Sequence, residues 1–363
     1  MVRVLVGMVM AVLAVGLGVG LGACDGRSGG GGGGGAPAGK GGGGGALKVP
    51  YTVVCTTGMV ADAVRAVAGE RAKVTALMGP GVDPHLFRPT RSDVALLYGA
   101  DVVVYSGLML EGKMTETFDG LKAAGKPTFA VTEDLAAGEL IAKAFEPGAA
   151  EQKPGSGGGA GGGPGSAAAD HHDPHVWMDP RTWGRTVAVI ERHLGELDPA
   201  GKESYARNAA AYRKELEELD AYAERVLTGV PERSRVLVTA HDAFGYFGRR
   251  YGVRVEGVQG ISTESEAGVR DIQRLVDLIV ERGVKAVFVE TSVPERNVRA
   301  IIAGAASRGA EVKVGGSLYS DAAGAEGTYE GTYVGMIDHN VTTIARALGG
   351  DAPEGGMRGK LTR

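Results

Sequence analysis

From Val49 onward the chain alternates short apolar runs with amphipathic stretches, and this alternation restricts its fold more than any other feature. VPYTVVCTT reads as a strand, GMVADAVRAVAGE as a helix, KVTALM as a strand, RSDVALLYGA as a helix and DVVVYSG as a strand. The same order returns after residue 235 with RVLVTA, VRVEGV, the helical stretch EAGVRDIQRLVDLIVERG, AVFVE, PERNVRAIIAGAASRG and EVKVGG. Apolar strands separated by helices argue for parallel sheets covered on both faces. The predicted fold class is therefore α/β, with an N-terminal lobe over 49–198 and a C-terminal lobe over 230–350, followed by a tail at 351–363. Between the lobes, Asp198-Pro199 sets a capping residue before a proline at the first helical position. Tyr205, Ala209, Tyr212, Leu216, Leu219, Ala223 and Val226 then draw one apolar stripe at alternating spacings of four and three. A helix over 199–229 would be about 45 Å long, enough to bridge two small lobes. A surface helix of one lobe is the alternative, but its length and position favour a connecting strut.

Residues 4–23 are uncharged and follow a lone Arg3, the layout of a secretory signal occupying 1–23. The run ends Leu21-Gly22-Ala23-Cys24, which resembles the bacterial lipoprotein cleavage box; that resemblance implies that Cys24 is the lipidated first residue of the mature chain. An uncleaved membrane helix is the alternative. Either arrangement holds the remainder outside the cytoplasm, at a membrane. Of 62 glycines, 13 fall within 29–45 and eight within 154–166. The first tract is a tether over 24–48, and the second marks a disordered loop at about 151–169. Lys plus Arg total 39 against 43 Asp plus Glu, a net charge of −4. The chain thus lacks the basic excess of a nucleic-acid binder. With only Cys24 and Cys55, it has neither a disulfide scaffold nor a CxxC zinc module. Cys55, inside the first strand, reads as a buried inert thiol.

The chemistry of the chain centres on its histidines. His85 sits in the Gly/Pro-rich loop GPGVDPHLFRPT after KVTALM, His241 follows RVLVTA, and His175 lies in DPHVWMDP between prolines. Loops at the carboxyl ends of parallel strands are where open α/β sheets bind ligands. Three imidazoles in stiff loops point to a metal ion, and Asp321, after EVKVGG, offers a fourth donor. His193 reads as a surface helix residue and His339 as a structural hydrogen-bonder in the last helix. His171 and His172, with Asp170 and Asp173, read as incidental donors beside the glycine tract. Asp242, Glu264 and Glu290 are candidates to orient a ligating imidazole through its other nitrogen.

The set GVDPHLFRPT, DPHVWMDP, TAHDAFGYFGRRYG and LYSDAAG, followed by TYEGTYVGMIDHN, resembles the zinc- and manganese-binding solute receptors of bacterial ABC importers, the TroA/ZnuA type. The likeness covers nearly all of 49–349, with the motifs in the family's order. It implies two α/β lobes joined by one long helix, with His85, His175, His241 and Asp321 around one divalent ion in the cleft between them. It implies a membrane-anchored extracytoplasmic receptor, a monomer, that delivers zinc to an ABC permease and is not an enzyme. Manganese or iron is the alternative cargo. Manganese receptors of the type more often have a carboxylate in place of the third histidine, here His241, so the donor set leans to zinc. Many zinc receptors of this type carry a long His- and acid-rich insertion where this chain has mostly glycine. A secreted zinc hydrolase is the remote alternative; no HExxH is present, and four protein donors fill a tetrahedral site.

Overall fold

The computed structural model describes residues 47–143 and 172–361. The leader at 1–23, Cys24, all but the last two residues of the tether, the glycine tract at 151–169 and His171 lie outside the described residues. Among the described residues no helix is long and apolar enough to cross a membrane.

The first half is built on β1 (Tyr51–Cys55), β2 (Ala72–Ala76), β3 (Val102–Tyr105) and β4 (Thr128–Ala130), all parallel in the order β2-β1-β3-β4. Side chains alternate across it, as the period of two in a strand requires. Val53, Cys55, Val102 and Val104 enter one core, while Val54 and Val103 enter another with Leu97, Phe118 and Leu121. The helices that cover it are α1 (Gly58–Ala68), α2 (Arg91–Gly99) and α3 (Thr115–Ala123). Thr57 caps α1 through its hydroxyl, and Thr90 with Asp93 forms a capping box on α2. Cys55 is wholly buried, as read from the sequence.

The second half pairs β5 (Val236–His241) with β6 (Arg254–Gln259), and β7 (Ala286–Glu290) with β8 (Lys313–Leu318), each pair parallel. Strand β5, which packs beside β7, is buried along its whole length. Its Leu237 faces the core shared with the first half, and its Val236, Val238 and Ala240 face a separate core with Leu275, Ile279 and Ile301.

Helix α4 (Pro180–Leu197) leads, through a 3-10 turn at Pro199–Gly201, into α5 (Lys202–Thr228). All seven stripe residues of α5 are buried. At about 40 Å, α5 is the strut expected, packing on α1 and α4 and on the last helix, α9 (Tyr333–Ala347). Helices α6 (Gly245–Tyr251), α7 (Val269–Arg282) and α8 (Arg296–Ser307) complete the second half. The tail folds back: Ala352 is buried, and the Met357 backbone N–H donates to the Asp338 carboxylate of α9. Two contacts tie the halves beneath the site, Trp177 Nε1–H to the Ser320 carbonyl at 2.9 Å and Tyr333 O–H to the Trp177 carbonyl at 2.7 Å.

Candidate metal centre

Two of the four donors expected from the sequence stand at or just past a strand end, and the other two lie in the segments that lead into a helix and a 3-10 turn. His85 is in the loop between β2 and α2, and His175 starts the 3-10 turn Val176–Met178 that leads into α4. His241 is the last residue of β5 itself, and Asp321 follows β8. Parallel strands end on one edge, so this placement brings the donors together. All four are at most 4% exposed, and one ligand atom from each lies within 4.8 Å of every other.

The spacing suits one small cation. The Nε2 atoms of His85 and His175 are 3.2 Å apart, and His241 Nε2 is 3.2 Å from Asp321 Oδ2. Asp321 Oδ1 is 3.4 Å from His175 Nε2, and Oδ2 is 3.7 Å from His85 Nε2. A tetrahedron with metal–nitrogen bonds of about 2.0 to 2.1 Å has edges of about 3.3 Å. His241 Nε2 and both oxygens of Asp321 are buried without a hydrogen-bond partner. Such atoms are costly to bury unless something else satisfies them, and an ion at their common centre does so.

The outer nitrogens of His241 and His175 are held by carboxylates, as those of metal-binding imidazoles usually are. Glu290, at the end of β7, accepts from His241 Nδ1 at 2.5 Å and from the His241 backbone N–H at 2.9 Å. Asp173 accepts from His175 Nδ1 at 2.7 Å and from its backbone N–H at 2.9 Å. Glu290 was among the three candidates; Asp173 was not. Its signal was present in the sequence: Asp-Pro-His occurs at 83–85 and again at 173–175. In both copies the Asp accepts the His backbone N–H two residues on, a turn to which Asp side chains are suited. Of the other candidates, Glu264 pairs instead with Lys113 at 2.8 Å. Asp242 lies beside the site, its carboxyl pushed up to about 6 by burial and the nearby Asp173 charge.

The electrostatics separate the three rings. Burial and the neighbouring imidazoles lower His85 to about 3 against the pull of Asp321, so it is neutral. Burial also opposes charge on His175, but Asp173 and Asp321 outweigh it and raise it to about 9. His241 is likewise raised well above the usual range, burial being overcome by Glu290 and Asp321. Asp321 is held far below the ordinary carboxylate range because the two imidazolium rings outweigh its burial.

The remaining histidines stand apart. His339 Nε2–H donates to the Ser317 carbonyl at 2.9 Å, the structural role expected. His172 joins Ala142 in an antiparallel backbone bridge and lies outside the donor set. His193 is at the surface of α4, as expected, but half-buried: its ring stacks on Phe129 with centroids 3.9 Å apart, and Nε2 meets Glu133 at 2.6 Å. The apolar face of α4 turns it partly inward, which charged neighbours in the sequence concealed.

Comparison with known proteins places this arrangement in context. The family model for the periplasmic component A of the zinc-uptake complex matches residues 53–347. The manganese-binding lipoprotein MntA of Bacillus subtilis (strain 168) is 43% identical over 296 residues, covering 82% of this chain and 89% of the relative. The zinc-binding protein TroA of Treponema pallidum is 42% identical over 296 residues, covering 82% and 88%. The solved structure of the periplasmic zinc-binding protein TroA from Treponema pallidum superposes with a TM-score of 0.73 at 41% identity, covering 82% of this chain and 99% of that one.

Proposed function

Because the chain belongs to the family of periplasmic zinc-uptake component A proteins, metal-binding receptors of ABC importers, we propose that its cargo is one zinc ion held by His85, His175, His241 and Asp321. The receptor is extracytoplasmic and anchored at the membrane as a lipoprotein, through Cys24 in our reading. The observation that carries the cargo reading is the convergence of three buried imidazoles and one carboxylate, one ligand atom of each within 4.8 Å of the others. Imidazole-rich tetrahedral sites suit zinc, whereas manganese favours more oxygen donors and higher coordination. Four protein donors leave no position for a reactive water, so the site serves capture and release rather than catalysis. The recipient is the permease of an ABC importer.

A second reading, manganese, is favoured by the 43% identity to a manganese-binding lipoprotein. Elemental analysis of protein purified from its native envelope, followed by zinc–manganese competition, distinguishes the two. One zinc per chain, retained against excess manganese, is the expected result. Manganese in the native protein would overturn the zinc assignment while leaving the receptor role intact.

A further inference from the structure

A loop of the second half is fastened across the mouth of the metal site to the segment that carries His85. It spans 260–268, between β6 and α7. Thr263, only 7% exposed, donates its hydroxyl to Asp83 Oδ2 at 2.5 Å. The other oxygen of Asp83 accepts the backbone N–H of the ligand His85 at 2.9 Å. One carboxylate therefore grips a metal ligand on one side and the opposite half of the molecule on the other. The two Asp-Pro-His turns differ here: Asp173 also serves its own histidine's ring, whereas Asp83 reaches out to Thr263.

Next along the loop, Glu264 pairs with Lys113 of the first half at 2.8 Å. Lys113 and Glu264, so paired, both line a cavity of about 360 Å³ that reaches His85. The His85 segment also lies close to the second half at Gly81. There the backbone is left-handed (φ 72°), and a Cβ would sit 3.2 Å from the Thr291 carbonyl. The loop is tied to its own half as well, by Gln259 Nε2–H to the Ser265 carbonyl at 3.0 Å.

We propose that loop 260–268 is a latch over the metal site, in which Thr263 acts through Asp83 as a positioning residue for His85 and the Lys113–Glu264 pair closes the mouth. The latch governs how fast the ion leaves. An ion must pass the loop to reach a recipient, and opening the loop frees the His85 backbone in the same movement. This inference rests on the four-donor reading above and adds a residue that touches no ion.

The test is stopped-flow release of zinc from the purified full chain into excess chelator, with zinc alone as probe. Thr263→Val keeps the side-chain shape and removes one hydrogen bond to a charged group, so release should quicken about tenfold. Because an entering ion passes the same loop, association should quicken as well, the melting temperature of the metal-free protein should stay within a few degrees of wild type, and Thr263→Ser should restore slow release. Lys113→Glu should also quicken release, and the double exchange Lys113→Glu with Glu264→Lys should reverse that. Wild-type release rates in both Thr263→Val and Lys113→Glu would overturn the latch. So would a Thr263→Ser variant as fast as Thr263→Val. A wild-type chain that takes up no zinc would instead overturn the cargo reading, and the latch with it.

Discussion

Without an ion, the pocket already holds the charge that an ion would bring. His175 and His241, raised as described, together carry two positive charges at neutral pH, and the carboxylates Asp173, Glu290 and Asp321 surround them. A divalent ion replaces two protons, so the buried net charge is the same before and after binding. His85, lowered to about 3, has no proton to give up. Binding at pH 7.5 should therefore release about two protons per zinc, measured by calorimetry in buffers of different ionisation enthalpy. The sign follows: both groups must deprotonate to bind, so affinity rises with pH at a slope near two, which falls toward one as pH passes about 9 and His175 loses its proton. A slope of three would place a proton on His85; a slope near zero would remove both imidazolium rings. Glu290→Gln keeps the shape but weakens the grip on His241 Nδ1, and should cost about 10- to 100-fold in zinc affinity by competition titration. At this scale the candidate donors were legible because histidine and aspartate in stiff loops of a parallel-sheet fold have few other uses. Asp173 escaped because, with Asp170, His171 and His172, it was weighed as an incidental donor beside the glycine tract rather than as part of a turn that orients His175.

Among the elements, the strut shows what periodicity can and cannot reveal. Seven apolar positions in one stripe announced α5, and the structure buries each of them. The segment that forms α3 and β4 gave no such sign. Strand β4 has three residues, too few to establish a period of two, and α3 lacks a side-chain cap at its start. Both are placed by tertiary contacts: β4 pairs along β3, and Phe118 and Leu121 of α3 fill the outer core of the first sheet. The N-terminus of α5 is locked by Asp198, which accepts from Arg71 Nε at 2.6 Å and from the Tyr205 hydroxyl at 2.5 Å. Farther along, Asp220 binds Arg181 of α4 and Arg250 of α6. Helix α5 is thus fixed to both halves by packing and by charge. Leu219→Ala, at a fully buried position on the stripe, should destabilise the fold by about 2 to 5 kcal/mol in denaturant unfolding. Zinc affinity of the folded fraction should change much less, since no donor is on α5. A loss below 0.5 kcal/mol would show that the stripe is not the packed seam described.

For the whole molecule, an ion held by the proposed donors would act as a bond between halves that are otherwise joined by one core, one strut and a few side-chain contacts. His85 and His175 come from the first half, His241 and Asp321 from the second. The donor set exists only in the folded arrangement, so an ion that binds the native state and not the unfolded chain stabilises it by mass action, by about 4 kcal/mol when free ion is 1,000 times the dissociation constant. Calorimetric melting of the wild-type chain should move upward with zinc and keep rising with its concentration. Because the cross-link needs donors on both sides, His85→Ala and Asp321→Ala should each lose most of that rise, although they lie in different halves and on different loops. Their metal-free melting need not follow suit: removing Asp321 also removes a buried carboxylate set against two imidazolium rings, so that variant should melt below wild type even before zinc is added. His85, neutral and without a carboxylate on its outer nitrogen among the contacts described, should be closer to neutral on truncation. A full zinc-dependent rise in either variant would mean that the ion is held within one half alone, and the coupling between capture and the relation of the halves would fall with it.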